Sequence, residues 1–404
     1  MIDRMKATRA VGLEKLEQFL PHAGIDYAQG RNHVPGVVSG LSPYIRHRLI
    51  TEEEVVAAVL VRHSEQAAEK FIQEVCWRTY WKGWLEMRPS VWFRYLDDLR
   101  SLHDRMEEEP DFEKRVRRTE QGETGIECLD DWARELRETG YLHNHVRMWF
   151  ASIWVHTLRL PWQLGADFFM RHLLDGDPAS NTLSWRWVCG LQTKGKVYVA
   201  TADNIERYTN GRYAPHGLVT GDIQPVTEEF LIPQPLQLIR PDRTAPGERT
   251  ILLVTDEDLF PESWGIPRRD VAGVVLVATA EASYGVGSLP VAWRRNAIDG
   301  TAQRLEAEFQ SPIVKIHRLE GEGESIPARL QALLRDHGAI SFSMMTPPVG
   351  PTLSLIEPIL GELSRAGVTV RKLRRSWDDA FWPHATHGFF KLKERIPPVL
   401  KELF

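Results

Sequence analysis

Three charged side chains lie among apolar residues in a tryptophan-rich stretch of the chain. Arg147, Asp175 and Asp177 are set among Trp, Phe, Leu and Met between residues 121 and 190. A charge in apolar surroundings is costly unless an opposite charge or a polar ligand compensates it. The stretch therefore predicts a structural ion pair or a site that binds a polar ligand.

The same stretch is far richer in tryptophan than an average protein. Five of its rings crowd into residues 149–187: Trp149, Trp154, Trp162, Trp185 and Trp187. A hydrophobic core accounts for some of them. A core does not require the DGD triplet at 175–177, followed by Asn181 and a W-x-W pair. The pattern favours a functional site at the end of this stretch.

Helical elements must position these residues. Apolar residues recur with helical spacing from residue 12 onward, and the pattern stays helical to about residue 190. Within residues 71–84, spacings of three and four put Glu74, Trp77, Arg78 and Trp81 on one helical face. That face is either an aromatic core stripe with an internal Glu–Arg pair or the wall of a ligand cavity. The charged residues 104–123 are predicted to form a surface loop.

The pattern changes after residue 250. Short β-branched runs alternate with helical patterns near 292–309, 325–336 and 352–366, which predicts an open parallel sheet of Rossmann-like architecture. The predicted strands are 250–254, 274–280, 312–317, 339–345 and 368–373. The fold class is therefore α plus α/β. We expect a helical domain over 1–235, a Pro-rich linker over 236–249 and an α/β domain over 250–404.

Composition limits the other functions. The chain has 404 residues, enough for two or three domains, and a net charge of −5, so DNA binding would require a local basic patch. Its three cysteines, Cys76, Cys128 and Cys189, cannot supply a four-cysteine iron–sulfur cluster, and we predict no metal site. No apolar run reaches membrane-spanning length, and the first helix does not resemble a signal peptide. We expect a cytoplasmic protein.

Five motifs in order resemble the flavin-binding core of the photolyase/cryptochrome family. They are SGLSPYIRHRLIT (39–51), FIQEVCWRTYW (71–81), TGYLHNHVRM (139–148), W-x-L-G-A-x-F-F-M (162–170) and DGDPASN-x-x-x-W-R-W (175–187). The resemblance covers roughly residues 27–190 and implies an FAD-binding flavoprotein with a helical domain of photolyase type. In that family an α/β domain that can hold an antenna chromophore normally comes first.

The resemblance also implies which residues contact FAD. The positions that match the family's cofactor residues are Tyr27, Ser39, Gly40, Leu41, Ser42, Arg78, Asn144, Arg147, Asp175, Gly176, Asp177 and Asn181. Val38 replaces the Thr that begins the family's phosphate-binding run. From the residues alone, Ser42 is predicted to cap a helix that begins at Pro43, and such a helix start suits a diphosphate. Asn181 matches the residue facing the flavin N5, where a neutral amide does not repel an anionic reduced ring.

The activity implied by the resemblance is blue-light-driven repair of cyclobutane pyrimidine dimers in DNA, by electron transfer from reduced FAD to a flipped lesion. Residues that match the family's lesion contacts are Glu74, Trp77, Asn144, Met148 and Trp187. The alternative is a cryptochrome-like photoreceptor that binds FAD without repair. Val38 and Arg186 favour that alternative. A third hypothesis is a structural protein that holds a flavin without photochemistry.

Two further features depart from the family. Trp185 and Trp162 match the first two tryptophans of the usual electron-transfer chain, but no tryptophan lies between Trp92 and Trp132, where the third is expected. We expect a route through Trp154 or a tyrosine.

The second departure is the order of the domains. TILLVTDEDL, VAWRRNAIDGTAQRLEAEF and the segment from 376 to 400 weakly resemble the family's α/β domain, so the order is that of a circular permutation. Asp256, Glu257 and Asp258 replace the basic first-strand loop, and any antenna chromophore remains unidentified. The partner implied is DNA containing pyrimidine dimers, bound by a monomer.

Overall fold

A computed structural model of the chain describes residues 6–193, 196–219, 223, 226–228, 231–244, 247–279, 286–309, 311–316 and 325–404. The described residues form a helical part, from 6 to 208, and a sheet part, from 250 to 404. Within those ranges, none of the helices is both long and apolar enough to cross a membrane.

The helical part confirms the helical periodicity of the sequence. Its helices are α1 (Arg9–Phe19), α2 (Ile25–Gly30), α3 (Ser42–Arg46), α4 (Glu52–Arg62), α5 (Glu65–Glu86), α6 (Ser90–Glu108), α7 (Pro110–Gln121), α8 (Glu127–Thr139), α9 (Asn144–Ser152), α10 (Trp162–His172), α11 (Pro178–Val188) and α12 (Ala202–Tyr208). A π-helical turn, Ile153–Thr157, follows α9. Helix α4 begins with a capping box, in which Thr51 and Glu54 bond to each other's backbone N–H.

The prediction of a surface loop over 104–123 is wrong. Helix α6 continues to Glu108, and α7 fills residues 110–121. Pro110 suits the first position of α7, where its missing N–H is not needed. Phe112 and Val116, four residues apart, are buried, so one narrow apolar stripe holds an otherwise charged helix to the protein.

The sheet part confirms the predicted parallel α/β architecture. Its strands are β1 (Thr250–Thr255), β2 (Val271–Val277), β3 (Ile313–Ile316), β4 (Ser341–Met345) and β5 (Thr369–Leu373), in the order β3-β2-β1-β4-β5. All four strand pairings are parallel. The helices of this part are α13 (Ser288–Phe309), α14 (Ile326–Asp336), α15 (Pro351–Arg365), α16 (Ser376–Phe381), α17 (Phe389–Lys393) and α18 (Ile396–Leu403).

The two faces of the sheet enter different cores. Leu252 and Val254 of β1 join a cluster that is continuous with the helical part and includes α13. Ile251 and Leu253 join a second cluster with α14 and α15. Since successive strand side chains point to opposite faces, both faces of β1 are covered, as expected for a parallel sheet.

The sheet part packs closely on α5. The Trp377 indole donates to Thr79 Oγ1 at 2.9 Å, and the Tyr80 hydroxyl donates to the carbonyl of His387 at 2.8 Å. Gly83 is required at this contact, because a Cβ there would lie 2.8 Å from the Trp382 ring. Residues near the end of the chain therefore pack against α5, the helix that carries Glu74, Trp77 and Arg78.

The predicted linker contacts both parts. The Leu236 N–H donates to the carbonyl of Met87 at 2.8 Å. The Asp242 N–H donates to the carbonyl of Lys372, and Asp242 Oδ2 accepts from the Lys372 N–H, both at 2.8 Å. The linker therefore covers part of β5, an edge strand whose backbone groups would otherwise be unpaired.

Candidate functional site

The DGD triplet forms a buried turn that leads into α11. Asp177 is the N-cap of this helix, and its Oδ1 accepts from the Ser180 N–H at 2.7 Å. Pro178 occupies the first helical position, where no N–H is needed. Asp175 and Gly176 are buried just before the cap. The local sequence thus aims two carboxylates at the space between α3, α5 and α9.

Arg147 and Asp175, two of the three charged residues of the apolar stretch, pair with each other. Arg147 Nη2 lies 3.0 Å from both oxygens of Asp175, and Arg147 Nε donates to the carbonyl of Leu142 at 3.0 Å. Burial alone would raise the pKa of Asp175, but Arg147 and Arg78 hold it below its ordinary value. Asp175 is therefore ionised, and its guanidinium partner stays 23% exposed.

Asp177 lies among three cations. Its Oδ2 is 3.6 Å from Lys82 Nζ, 3.6 Å from Arg46 Nε and 3.9 Å from Arg78 Nη1. Burial opposes ionisation, yet these three charges hold the pKa of Asp177 well below its ordinary value. Sequence reasoning missed Arg46 and Lys82. The signal for Lys82 was its position four residues after Arg78, on the same face of α5.

Several buried polar atoms in this cluster lack a partner. Asp177 Oδ2, Lys82 Nζ, Arg78 Nη1 and Ser180 Oγ make no hydrogen bond within the part of the chain that the structure describes. Nearly all buried polar groups in proteins are hydrogen-bonded, so such a group of exceptions indicates a polar partner outside the chain. A ligand with phosphate and ring-edge donors and acceptors fits this donor and acceptor set.

The loop before α3 departs from one prediction. Ser42 is the first residue of α3 rather than its cap, and Leu41 occupies the cap position without a side-chain bond. The helix begins one residue earlier than predicted, and the Ser42 hydroxyl instead hydrogen-bonds Asp175. Gly40 has a φ of 64°, a conformation that favours glycine, and Ser39 Oγ accepts from the Leu41 N–H at 3.3 Å.

Tyr27 is a buried residue of α2, which precedes this loop in the chain. Its ring makes edge contacts with Phe19 and Phe71, at centroid distances of 5.8 and 5.2 Å. Burial, followed by the charge of Glu74, raises the pKa of its hydroxyl, which hydrogen-bonds Arg31. Of the predicted phosphate-contact residues, Ser39 and Ser42 are partly accessible, Gly40 is exposed, and Tyr27 and Leu41 are buried.

Asn181 is fixed one turn into α11. Its Nδ2 donates to the carbonyl of Ala166 at 2.8 Å, which orients the amide so that Oδ1 is the group left for an external donor. The neighbouring contact of α10 with α11 requires Gly165, because a Cβ there would lie 2.3 Å from the Trp185 ring.

The predicted lesion contacts divide into two groups. On α5, Glu74 pairs with Arg31, and Trp77 stacks on Phe389 with ring centroids 3.6 Å apart. Burial raises the pKa of Glu74, although Arg31 opposes that shift. On α9, Asn144 is exposed and Met148, one turn later, is partly buried. Trp187 is partly accessible and stacks on Tyr198 at 5.5 Å.

Aromatic rings continue from Trp162 towards α6. Trp162 stacks on Tyr95 with centroids 5.5 Å apart, and Tyr95 lies 5.3 Å from Trp92. Trp185 contacts Trp154 edge to face at 6.3 Å. The electron-transfer chain was expected to continue through Trp154 or a tyrosine. Trp154 lies next to Trp185, and Tyr95 lies next to Trp162. Sequence reasoning did not single out Tyr95, whose one signal was its helical spacing from Trp92.

Comparison with known proteins bears directly on this site. Residues 71–213 match the family model described as the FAD binding domain of DNA photolyase. This part of the chain is similar to the FAD-binding domain of the photolyase/cryptochrome family. The match supports FAD as the ligand whose donors and acceptors fit the cluster around Asp177.

Curated relatives and solved structures extend the comparison. A deoxyribodipyrimidine photo-lyase of Streptomyces griseus is 32% identical over 169 residues, which cover 42% of this chain and 36% of the relative. A second, of Thermus thermophilus, is 33% identical over 184 residues, covering 45% and 42%. A bacterial class III photolyase from Agrobacterium tumefaciens has 26% identity and a TM-score of 0.42, covering 50% of this chain and 43% of that chain. The chain thus matches less than half the length of these relatives.

Proposed function

We propose that this chain binds FAD between α3, α5, α9 and α11 and repairs cyclobutane pyrimidine dimers in DNA under blue light. The observation that carries the flavin site is the cluster of Asp175 and Asp177, buried behind the partly accessible Arg78 and Arg147. Positive charge on the accessible side and carboxylates behind it suit a ligand that carries a diphosphate and an electron-rich ring. The name of these relatives, deoxyribodipyrimidine photo-lyase, supports a pyrimidine dimer in DNA as the substrate.

The chain's residues would hold and orient the cofactor. Reduced FAD would supply, after light absorption, the electron that splits the dimer. The Arg147–Asp175 pair would fix the ring position, and the Ser39 hydroxyl would donate to a phosphate oxygen. The Ser42 hydroxyl would bind a phosphate oxygen in exchange for its hydrogen bond to Asp175. Asn181 would present its neutral Oδ1 to the ring, because its Nδ2 is already bonded to Ala166. Because the amide is neutral, it does not repel a negatively charged reduced ring.

The rim residues would receive the lesion. A flipped base pair needs apolar platforms and a few polar groups. Trp77 and Trp187 each stack on one aromatic neighbour and keep part of their surface accessible, as such platforms require. Burial raises the pKa of Glu74 while Arg31 lowers it, and this carboxyl would be the polar group that the rim offers to a flipped base.

We also propose that the sheet part corresponds to the family's α/β domain in permuted order, with boundaries at 1–235, 236–249 and 250–404. The weak sequence resemblances around β1, α13 and α16–α18 support that correspondence. The linker's hydrogen bonds to Met87 and Lys372 are compatible with a reordered connection. We expect the protein to act as a monomer on DNA, with any antenna chromophore unidentified.

A photoreceptor without repair activity is the second candidate. Two contacts within the chain favour it. Phe389 covers one face of Trp77, and Arg31 pairs with Glu74, so two lesion contacts already have partners. Repair then depends on the other face of Trp77 and on release of Glu74.

One experiment separates the two candidates. The purified protein is reduced, mixed with a dimer-containing oligonucleotide and illuminated, and the recovery of base absorbance is followed. Recovery that requires light and is lost in Glu74→Ala and Trp77→Ala supports repair. Glu65→Ala, at the exposed start of the same helix, is the matched control and should retain the wild-type rate. Bound FAD without dimer splitting would favour the photoreceptor, and absence of bound FAD would overturn both candidates.

A further inference from the structure

The sheet's topological switch point lies between β1 and β4. From β1 the chain proceeds outward through β2 and β3, and it then returns to the other side of β1 with β4 and β5. In open α/β sheets the crevice beyond the carboxyl ends of such a strand pair is the usual ligand site. Here Asp256, Glu257 and Asp258 follow β1 directly, and all three are buried.

A guanidinium from the helical part occupies this crevice. Arg46 of α3 donates to both oxygens of Glu257, the contact from Nη2 measuring 2.7 Å. The Thr352 hydroxyl of α15 donates to Glu257 Oε1 at 3.2 Å. Arg46 and Glu257 lie 211 positions apart in the sequence. The charge pair therefore joins the sheet part to the helical part.

The same Arg46 reaches the candidate flavin site. Its Nε donates to the carbonyl of Gly176 at 2.9 Å and lies 3.6 Å from Asp177 Oδ2. Arg46 is thus shared between Glu257, on the sheet side, and the DGD turn, on the flavin side. If Glu257 lost its charge, Asp177 would become the nearest carboxylate to which the guanidinium could move.

We propose that Glu257 is a positioning residue of the flavin site. By binding two Arg46 nitrogens, it holds the guanidinium back from Asp177 Oδ2. The second oxygen of Asp177, together with the buried donors of Lys82 and Arg78, then stays available for the cofactor. The sheet part thereby acts on FAD binding through the charge of Glu257, although the proposed FAD site lies in the helical part. This inference rests on the proposed FAD site.

The chain offers a matched control in the same loop. Asp258 is equally buried and also joins the two parts, since it accepts from Arg375 Nε at 2.6 Å and lies 3.5 Å from Arg48 Nη1. The cations paired with Asp258 are Arg48 and Arg375, whereas those paired with Asp177 are Arg46, Arg78 and Lys82. Asp258→Asn therefore removes a buried interdomain charge without changing the partner of Arg46.

The test compares Glu257→Gln, Asp258→Asn and wild type, each stripped of flavin and titrated with FAD, with the unfolding temperature measured with and without FAD. We expect Glu257→Gln to bind FAD about tenfold more weakly, a typical coupling between two sites, and to gain less stability from FAD than wild type. Asp258→Asn should be less stable than wild type. It should bind FAD with wild-type affinity, and FAD should raise its unfolding temperature as much as it does in wild type.

Two outcomes would overturn the inference separately from the proposed function. If Glu257→Gln loses stability but binds FAD like Asp258→Asn, Glu257 is only structural, and the flavin site itself stands. If wild type binds no FAD, the proposed function fails first. Should Glu257→Gln fail to fold, Thr352→Val removes one hydrogen bond to Glu257 with little change in shape. A weakening of FAD binding by about twofold or more in Thr352→Val supports the inference, and unchanged affinity contradicts it.

Discussion

Trp77 and Phe389 stack face to face, with centroids 3.6 Å apart and ring planes 11° apart. Trp77 belongs to α5 of the helical part, and Phe389 is the first residue of α17 near the end of the chain. The stack fixes the Trp77 ring and assigns one of its faces to the protein. A base that binds Trp77 must use the other face.

Removing the Phe389 ring should loosen this platform. Phe389 is buried, so Phe389→Ala should lower the free energy of unfolding by about 3 kcal/mol. We expect weaker binding of a dimer-containing oligonucleotide as well, measured by fluorescence anisotropy. Phe390→Ala is the matched control: that ring is 76% exposed, and its loss should change stability by less than about 0.5 kcal/mol. Tighter oligonucleotide binding in Phe389→Ala would mean that the ring blocks the site rather than supports it.

A carboxylate at position 181 should disfavour the reduced flavin. Asn181→Asp replaces a buried donor by a negative charge facing the carbonyl of Ala166. We expect the free energy of unfolding to fall by about 2 kcal/mol, the typical cost of a buried unsatisfied polar group. The reduction potential of bound FAD should fall by tens of millivolts, since ~30 mV corresponds to 1.4 kcal/mol for a two-electron couple.

Asn181→Ala separates the charge effect from the lost hydrogen bond. Both variants lose the bond to Ala166, but only Asn181→Asp adds a charge. Spectroelectrochemical titration should therefore find a lower potential in Asn181→Asp than in Asn181→Ala. Equal potentials would show that the side chain at this position does not act on the ring electrostatically.

Tyr95 should carry electrons to Trp162 during photoreduction. Its ring is stacked 5.5 Å from Trp162, and Trp92 lies beyond it at 5.3 Å. Tyr95→Phe retains the packing but removes the readily oxidised phenol. We expect photoreduction of oxidised FAD under blue light to slow at least severalfold, as measured by flavin absorbance.

The repair step itself gives the control for Tyr95. Protein reduced chemically beforehand does not need this path, so its dimer repair should be unchanged in Tyr95→Phe. Trp154→Phe tests the competing route beside Trp185. If Trp154→Phe slows photoreduction and Tyr95→Phe does not, the electron path runs through Trp154.

Glu86 should make the junction of the two parts sensitive to pH. Its carboxylate accepts from the Val349 N–H at 2.6 Å, with Asp378, Lys82 and Arg374 nearby. Burial raises the pKa of Glu86 from an ordinary 4.5 to about 7. Between those values the folded protein binds more protons than the unfolded chain, so this group's contribution to the free energy of unfolding falls as pH rises.

Glu86→Gln isolates that contribution. The difference in unfolding free energy between wild type and Glu86→Gln should decline from pH 5 to about pH 7 and change little above it. Denaturant titrations at several pH values measure this difference. A difference that stays constant, or that grows with pH, would contradict a raised pKa for Glu86.

Local patterns in the sequence determined the element types, and the family resemblance supplied the candidate site residues. Helical spacing predicted the first 190 residues, and short β-branched runs predicted all five strands, because burial on one or two faces imposes these periods on neighbouring residues. The residues alone indicated that Arg147, Asp175 and Asp177 need a charged or polar partner, because charges in an apolar stretch must be compensated. Two features were misassigned. Ser42 is the first residue of α3 rather than its cap, because the helix begins one residue earlier than predicted. Residues 104–123 are helical rather than a loop, because a narrow stripe of buried residues holds α7 to the protein.

Tertiary structure decided which distant residues meet. Nothing in the local sequence around residues 256–258 indicates that Glu257 binds Arg46 or that Asp258 binds Arg48 and Arg375. An acidic triplet after a strand is equally compatible with a solvated loop. The same holds for Phe389, which reaches Trp77 only because α17 packs on α5. Such contacts form where the two parts bury their surfaces together, and complementarity across that surface leaves no periodic signal in either segment.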